Sequence, residues 1–427
     1  MKSNLDPQSL SNFLRENSEN FLILRNPDIS ASLLRGGDVD CLVRDINLAC
    51  TAIQSALGPP FLRISRFYVT QLFYPWGHID LSTQVTWKSL RYLESDELWH
   101  HSRILPNGLR VLSQSHEAVI NWLSSLIWGG FTKERYMSMI QDYSLKEKGA
   151  FRSVLEKVFD PTTSDQLTSI AQASRWNDAE RMVPHLRWLL ISKAILTHPR
   201  RSISSTLRYF ASEITLRISP PFPTIAFLGP DGAGKSTVIS HLSKKLAPCC
   251  SGIELKHWRP AILPDFGVLI RKRPASSSIN IDPHGLPPHG FFSSFLRLLY
   301  YMTDYWVGFV LLLNARARGR IIIYDRYADD MLVDPRRFRF GLPNLLLKLC
   351  RFMTPDCNLT FCLTAPVEVL RFRKDEVSES ETLRQVTEYA TLTSRKANGH
   401  IIETERPIDA ITTDIQERIF KYIHTHQ

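Results

Sequence analysis

The feature that most constrains this chain is a glycine-rich run at residues 229–236, Gly-Pro-Asp-Gly-Ala-Gly-Lys-Ser, which fits the pattern G-x-x-x-x-G-K-[ST]. The apolar run Thr224–Leu228 before it predicts a β-strand, and Lys235–Leu246 after it predicts an amphipathic helix. Glycines let backbone N–H groups curl around an anion without Cβ clashes, and the helix N-terminus adds partial positive charge. The run therefore predicts a phosphate-binding loop between a strand and a helix.

Each residue type in this loop has an expected task. The ammonium group of Lys235 reaches the β- and γ-phosphates of a triphosphate, and the Ser236 hydroxyl ligates Mg²⁺. ATP and Mg²⁺ are therefore the expected cofactors, and an ordinary glycine-rich turn is the alternative. The candidate nucleotide-binding residues are Gly229, Asp231, Gly232, Ala233, Gly234, Lys235, Ser236 and Thr237.

Strands and helices alternate along the second half of the chain. Further strands are predicted at 253–258, 321–324, 359–363 and 400–403. Helices are predicted at 295–317, 343–353, 367–374, 381–396 and 409–423, and an exposed loop rich in Ser, Pro and Gly at 274–288. This alternation predicts parallel βαβ units, and hence an α/β fold with a doubly wound parallel sheet.

The glycine-rich loop, read together with Tyr-Asp-Arg-Tyr at 324–327, resembles thymidylate kinase and related P-loop kinases from Thr224 to the C-terminus. The resemblance implies that Asp231 contacts the acceptor sugar and that Asp325 and Arg326 lie near Mg²⁺ and the phosphates. It also implies a basic lid after the fourth strand. The implied catalytic residues are Lys235, Asp325, Arg326, Arg371 and Arg373, and the implied Mg²⁺ ligands are Ser236 and Asp325.

The activity that this resemblance implies is ATP-dependent phosphoryl transfer, by P-loop kinase chemistry, to a nucleoside monophosphate, with thymidylate as the default acceptor. The transition state spreads negative charge over the moving phosphoryl group, and the implied catalytic arginines can stabilise this charge. A sugar or glycan kinase on the same fold is one alternative. A regulatory ATP-binding module without turnover is another, from a different class of function.

The acceptor side departs from the family pattern. Thymidylate kinases carry a Thr-Arg-Glu-Pro-like segment after the second strand, where this chain has Lys-His-Trp-Arg-Pro at 256–260. They also carry an Asp-Arg pair on the middle helix, and the comparable stretch 301–305 contains no arginine. Asp231, Arg259 and Asp304 are the expected acceptor contacts. For Asp304, which lies in an apolar helix, a buried structural pair is the alternative.

A second set of acidic residues lies in the first half of the chain. Asp38 and Asp40 are at i and i+2 of a predicted strand, and therefore on one face of it. With Asp80, these residues resemble the metal-binding carboxylates of polymerase-β-type nucleotidyltransferases over residues 15–95, which implies bound Mg²⁺. The family's Gly-Ser pair is absent, and Leu-Arg-Asn at 24–26 stands in its place. Acids that cap strand ends on a solvated surface are the alternative.

The predicted domain organisation follows from these patterns. The prolines after residue 218 cannot continue a helix and favour an extended connector. We expect an α+β nucleotidyltransferase-like domain at 1–110, a helical extension at 111–215, a Pro-rich linker at 216–223 and a thymidylate kinase-like P-loop domain at 224–427. The basic, Ser-rich stretch at 198–208 is interpreted as solvated surface.

Composition limits the partners and the compartment. The chain of 427 residues has 52 basic and 42 acidic residues, and the net charge of +10 shows no concentrated tail. It therefore favours small anionic acceptors over a dedicated nucleic-acid surface. The seven cysteines form no Cys-x-x-Cys pair, and no signal peptide is recognisable at the N-terminus, so we expect a cytoplasmic protein. The apolar window 295–314 contains Arg297 and Asp304, which predicts a buried helix rather than a membrane span. A homodimer is possible.

Overall fold

The computed structural model describes residues 7–25, 28–34, 37–264, 266, 287–374 and 377–426. It divides into two compact units, Met1–Thr215 (unit 1) and Leu216–Gln427 (unit 2). Most of the loop predicted at 274–288 lies outside the described residues, as do residues 1–6, where a signal peptide would begin. The finer division predicted from the sequence, with a helical extension and a linker, stays a prediction.

The described part of unit 1 contains a mixed sheet and a separate antiparallel strand pair. The strands are β1 (Phe21–Ile23), β2 (Asp38–Val43), β3 (Leu62–Arg66), β4 (Val69–Tyr74), β5 (Gly77–Ser82), β6 (Val85–Trp87), β7 (Leu90–Leu93), β8 (Ser102–Ile104) and β9 (Arg110–Leu112). Seven of them form a sheet in the order β3-β4-β5-β2-β1-β9-β8, and β6 pairs with β7. The sequence pattern indicates strands at 21–25 and 38–43 and one strand pair between 61 and 81. The structure has β1 and β2 at the first two places and three strands, β3 to β5, at the third, and the short strands β6 to β9 were not predicted.

The register of this sheet brings the acidic residues of unit 1 together. Strand β2 pairs in parallel with β5, and Asp40 lies directly opposite Asp80. Because side chains alternate along a strand, Val39 and Cys41 enter the core while Asp38 and Asp40 share the other face. Strand β1 pairs with β2 on its other side, and the backbone N–H of Leu24 still donates to the Asp40 carbonyl at 2.9 Å. This contact holds the next residue, Arg25, beside the acidic face.

Helices form most of the remaining described residues of unit 1, and those from residue 114 onward lie in the stretch expected to be helical. They are α1 (Pro7–Glu16), α2 (Ile29–Leu34), α3 (Ile46–Leu57), α4 (Ser95–His100), α5 (Gln114–Leu123), a π-helical turn (Ser124–Gly129), α6 (Glu134–Lys146), α7 (Lys148–Val158), α8 (Pro161–Gln172), α9 (Trp176–Thr197) and α10 (Pro199–Ile218). The fully buried Trp122 lies in the core of the helical part and donates from Nε1 to Thr132 Oγ1 at 3.1 Å. The stretch 198–208, interpreted as solvated surface, begins the long helix α10 and is mostly exposed, which agrees with that interpretation.

Unit 2 contains a parallel sheet, as the alternating pattern predicted. Its strands are β10 (Thr224–Leu228), β11 (Gly252–His257), β12 (Arg320–Asp325), β13 (Leu359–Thr364) and β14 (Gly399–Glu403), in the order β11-β12-β10-β13-β14. All four neighbouring pairs are parallel. Strand β10 is central and all five of its residues are buried. The mixed α/β class with a parallel sheet is therefore confirmed.

Helices follow the strands of unit 2 within its described residues. They are α11 (Lys235–Leu246), α12 (Phe291–Ala317), α13 (Asp330–Val333), α14 (Asn344–Met353), α15 (Val367–Arg373), α16 (Glu379–Ser394) and α17 (Ile408–Thr425), with a short 3₁₀ turn at Ala247–Cys249. Because the strands are parallel, the segments that follow β10, β12 and β13 emerge at one edge of the sheet. Open α/β sheets bind their ligands at this edge.

Helix α12 is long and apolar enough, by length and composition, to cross a membrane, and 33% of its most apolar window is buried. Asp304 lies near its middle and is fully buried. This carboxylate accepts from Arg259 Nη1 at 2.8 Å and from the backbone N–H groups of residues 261–263 at 3.0, 2.9 and 2.7 Å. The helix thus holds a buried ion pair, and the absence of a membrane span stays a prediction.

Candidate phosphate-binding site

The loop between β10 and α11 can follow its path only with glycine at two of its positions. Gly229 has φ +136° and Gly232 has φ +80°, where L-residues are strained. A Cβ on Gly229 would lie 2.3 Å from the carbonyl oxygen of Leu363, and one on Gly232 would lie 2.7 Å from that of Leu370. The loop is therefore packed against the end of β13 and against α15, which follows it. The buried Ala233 completes it, and Gly234 caps α11.

Lys235 is the first residue of α11, and it is only 7% exposed. Its Nζ donates to the carbonyl oxygens of Gly229 and Pro230, both at 2.8 Å. Burial, and next the nearby charge of Arg326, lower the pKa of Lys235 to about 7. The amino group thus lies inside the loop and is bonded to two of its carbonyls. Phosphate oxygens would be stronger acceptors for it than these carbonyls.

The predicted magnesium ligands lie together at the carboxyl ends of β10 and β12. Asp325 is the last residue of β12 and pairs with Phe227 of β10. The Ser236 hydroxyl donates to Asp325 Oδ2 at 3.3 Å. Asp325 Oδ1 is buried and has no hydrogen-bond partner among the described residues. Hydroxyl and carboxylate oxygens are the ligands that Mg²⁺ prefers. The residues therefore fit Mg²⁺, with Thr237 exposed beside them.

Arg326 follows Asp325 and is held on both its backbone and its side chain. It has φ +73°, and its N–H donates to the Phe227 carbonyl at 2.9 Å. The guanidinium group is 6% exposed and contacts Asp330 at 2.8 Å and also Asp231. Burial opposes its charge, but the two carboxylates outweigh burial and raise the pKa of Arg326 above its usual value. A fixed, permanent cation therefore lies beside the loop.

Asp330, four residues after Arg326, anchors this arginine. The carboxylate is fully buried. Its Oδ1 accepts from Arg326 Nη1 at 2.8 Å and from the Tyr389 hydroxyl at 2.6 Å, and Oδ2 accepts from the Tyr327 N–H at 3.0 Å. The sequence did not single out Tyr389. It comes from α16, far along the chain, and no local pattern links the two.

Asp231, the acidic residue inside the loop, lies between two arginines. Besides Arg326, it accepts from Arg337 Nη1 at 2.9 Å on Oδ2. Arg337 was not predicted, and its only signal is an arginine-rich stretch at 336–339. The structure thus places two guanidinium groups on the residue expected to contact the acceptor sugar. Two cations that face one carboxylate can also bind an acceptor phosphate.

The two predicted lid arginines behave differently. Arg373 Nη1 lies 3.5 Å from the Gly232 carbonyl oxygen and 3.4 Å from Thr404 Oγ1, so it reaches the loop. Arg371 pairs instead with Glu379 of α16 at 3.1 Å. Arg373 is therefore brought to the glycine-rich loop, and the role of Arg371 stays a prediction.

The predicted acceptor residues Arg259 and Asp304 form the buried pair described above, which matches the structural alternative for Asp304. Beside them, Trp258 stacks on Phe338 with ring centroids 4.4 Å apart and meets Tyr301 edge-on at 4.8 Å. Trp258 directly follows β11, at the same sheet edge as the loop, whereas Tyr301 lies in α12 and Phe338 follows α13. The acceptor roles of Arg259 and Asp304 stay predictions, and the aromatic wall is a feature that the sequence did not assign.

In unit 1, the structure brings together Asp38, Asp40 and Asp80, which we call the acidic cluster. The guanidinium of Arg25 lies between two of its members: Nη2 is 3.2 Å from Asp38, and Nε contacts Asp40. Gln71 Nε2 donates to both oxygens of Asp80 at 3.1 Å. Burial, and next the neighbouring acids, raise the pKa of Asp80 well above its usual value. The cluster therefore already contains a cation.

The comparisons with known proteins bear on half of the chain at most. No family model and no curated protein matches the sequence. Among solved structures, it is similar to the thymidylate kinase of Candida albicans, with 20% identity, 48% of this chain and 94% of that chain covered, and a TM-score of 0.36. It is also similar to the thymidylate kinase of Ehrlichia chaffeensis, with 17% identity, 45% and 96% covered, and a TM-score of 0.31. The chain thus resembles thymidylate kinases over less than half of its length. This similarity is too low to assign a function, which must be argued from the geometry of the loop.

Proposed function

We propose that this protein is an ATP-dependent kinase whose phosphoryl-transfer site lies at the carboxyl edge of the unit 2 sheet. One observation carries the proposal: the glycine-dependent loop places Lys235 at its centre and brings Ser236 to Asp325 at 3.3 Å. These residues would hold the phosphates of ATP and one Mg²⁺. The metal would neutralise charge on the β- and γ-phosphates.

The chain's own cations supply the remaining electrostatic stabilisation. Lys235 exchanges the Gly229 and Pro230 carbonyls for phosphate oxygens and binds them as an ammonium group. Arg326 cannot rotate freely, because Asp330 and Asp231 hold it from two sides. A fixed guanidinium stabilises the charge that develops on the moving phosphoryl group without reorganising at the moment of reaction. Arg373 can add a further contact from the lid side.

A nucleoside monophosphate is the acceptor that we propose, with thymidylate as the first candidate. Such an acceptor brings an ionised phosphate and needs no general base, whereas a sugar hydroxyl requires one. Asp231 is the acid best placed to act as a base, yet its carboxylate is already bound by Arg326 and Arg337. The aromatic wall at Trp258 also suits a planar base. A sugar or glycan acceptor is the second candidate.

The decisive experiment measures ADP formation by the purified full chain with ATP and Mg²⁺. Thymidylate, the other nucleoside monophosphates and simple sugars are offered in turn. We expect turnover with a monophosphate and its loss in Lys235→Ala. The matched control is Lys244→Ala, which removes an exposed lysine from the same helix and should leave turnover unchanged. ATP binding without ADP formation on any acceptor would favour the regulatory module. No ATP binding at all would overturn the proposal.

For unit 1 we propose a nucleotidyltransferase-like fold, supported by the parallel pairing that sets Asp40 opposite Asp80. The acidic cluster does not fit a pair of Mg²⁺ ions as it stands, because the Arg25 guanidinium lies between Asp38 and Asp40. We therefore assign no nucleotidyl-transfer step to it. An assay of nucleotide transfer that gives equal rates for wild type and Asp40→Ala would confirm that the cluster is not catalytic.

A further inference from the structure

We propose that Arg25 is the resident cation of the acidic cluster and closes it to divalent metal ions. Removing the charge of Arg25 opens a site for Mn²⁺ on Asp38, His78 and Asp80. The proposal rests on contacts within unit 1, and it holds or fails independently of kinase activity in unit 2.

The backbone brings Arg25 to this position. Strand β1 ends at Ile23, but the Leu24 N–H still donates to the Asp40 carbonyl at 2.9 Å. The next residue therefore projects onto the face that carries Asp38 and Asp40. Its guanidinium contacts both carboxylates from a partly buried position, with 22% of the side chain exposed. One planar, permanently charged group thus bridges two acids.

Without Arg25, the negative charges of the acidic cluster have no ion-pair partner, among the described residues, that contacts two of them. Three carboxyl groups lie on adjacent strands, and like charges at this range repel. The groups that face them include Arg25, His78 and the Gln71 amide, with Lys133 and Arg135 acting from the α6 side. Of these, only Arg25 is within ion-pair distance of two acids among the described residues. It therefore offsets one of the negative charges and occupies the space between Asp38 and Asp40 that a metal ion would need.

The remaining atoms are spaced as metal ligands. Asp38, His78 and Asp80 each offer one ligand atom, and these atoms all lie within 4.8 Å of one another. His78 is 7% exposed, its Nε2 lies 4.0 Å from Asp80 Oδ1, and its Nδ1 has no hydrogen-bond partner among the described residues. Nε2 of His78 thus faces the acids without a hydrogen bond to them, and this buried nitrogen donor is a second observation, beside the acids, that points to a ligand.

The donor set selects the metal. Two carboxylates and an imidazole suit Mn²⁺ better than Mg²⁺, which prefers oxygen ligands alone and retains its waters. Arg25 would have to leave both of its acids before such an ion could enter, since its guanidinium does not lose its proton. We therefore expect weak Mn²⁺ binding by the wild type and tighter binding once this charge is gone.

The test is a Mn²⁺ titration of the nucleotide-free full chain, followed by the paramagnetic resonance signal of free Mn²⁺. We expect Arg25→Ser to bind one additional Mn²⁺, with affinity about tenfold or more above wild type, and to bind Mg²⁺ less tightly. The matched control is Arg63→Ser, which removes an exposed arginine of β3 whose contact is with Asn47. It should bind Mn²⁺ as the wild type does. Adding Asp38→Asn to Arg25→Ser should abolish the new site.

Thermal unfolding gives a readout that does not depend on counting bound ions. Arg25→Ser should unfold at a lower temperature than wild type, and Mn²⁺ should restore much of the difference. If Arg25→Ser does not fold, the double variant Arg25→Gln with Asp40→Asn keeps the three ligands while it reduces the repulsion. Equal Mn²⁺ affinity in wild type and in a folded Arg25 variant would overturn the proposal, as would a folded variant that Mn²⁺ neither binds nor stabilises.

Discussion

Each unit of this protein contains an arginine held between two aspartates, and the two settings differ. In unit 2, Arg326 contacts Asp330 and Asp231, and Arg337 contacts Asp231 as well. In unit 1, Arg25 contacts both Asp38 and Asp40, with Asp80 nearby. The site in unit 2 therefore has two guanidinium groups for the two acids Asp231 and Asp330, and it lies beside the glycine-rich loop. The acidic cluster in unit 1 has one guanidinium group in contact with two of its three acids.

The difference shows that the effect of an ion pair on ligand binding depends on the charges and the backbone around it. In unit 2 the acids orient cations toward a place where an anion can bind. In unit 1 the arginine satisfies acids that would otherwise draw a cation. The same two residue types thus prepare one site for phosphate and close the other to metal. Four measurements can break or sharpen this contrast.

The largest effect is expected from removing a buried acid in each unit. Asp330→Asn should lower the free energy of unfolding of unit 2 by about 3–5 kcal/mol, because it leaves the buried Arg326 short of a partner. Asp80→Asn should cost far less, or stabilise unit 1, since it relieves repulsion from Asp38 and Asp40. Urea unfolding followed by circular dichroism checks both. Similar losses in the two variants would contradict the contrast.

An intermediate effect is expected from pH. The pKa of Lys235 is lowered to about 7 in the free protein, whereas bound phosphates favour its charged form. Nucleotide binding should therefore take up a proton above pH 7. Affinity for ADP should fall from pH 7 to pH 9, approaching about tenfold for each pH unit. Calorimetry at pH 8 in two buffers of different ionisation enthalpy measures the proton uptake.

The lowered pKa of Lys235 also makes the stability of the free protein depend on pH. A lysine whose pKa is lower folded than unfolded binds fewer protons in the folded state, so free-protein stability should rise with pH from about 7 to 10. Arg25 cannot titrate in this range, and unit 1 should show no such slope from its resident cation. Lys235→Arg provides the control, because it removes the titration. Persistence of the proton uptake in that variant would assign it to another group.

The smallest effect is expected at Arg337. Its side chain is 25% exposed, and partly exposed ion pairs contribute about 0.2–1 kcal/mol. Arg337→Gln should raise the KM for the acceptor roughly two- to fivefold and leave kcat nearly unchanged. Arg336→Gln removes the exposed neighbouring arginine and should change neither. An unaltered KM in Arg337→Gln would restrict this residue to holding Asp231.

The parts of the site that the sequence predicted are those built from neighbouring residues. The glycine-rich loop and Lys235–Leu246 are contiguous, and their local pattern determines both the turn and the helix. Asp325 was linked to Ser236 only through a family resemblance, since 89 positions separate them. Arg337 and Tyr389 were missed because their contacts depend on how distant segments pack. No periodicity in the chain encodes such contacts.

Unit 1 shows the same limit. The i, i+2 spacing placed Asp38 and Asp40 on one strand face, and the register of β2 and β5 then added Asp80. The sequence noted Arg25 only as a departure from a family pattern. Its pairing with both acids depends on the path of the chain after β1, which propensities do not specify. The short strands β6 to β9 were missed because three or four residues give too little alternation to recognise.

Asp304 also affects what the nascent helix α12 can do before the chain has folded. A nascent segment as apolar as α12 is at risk of entering a bilayer while the rest of the polypeptide is still unfolded. At that stage its carboxylate has neither Arg259 nor the amides of 261–263 as donors, and placing it at the centre of a bilayer costs about 2.5–3.5 kcal/mol. The residue that later fixes the loop after β11 thus also disfavours insertion of the newly synthesised helix into lipid.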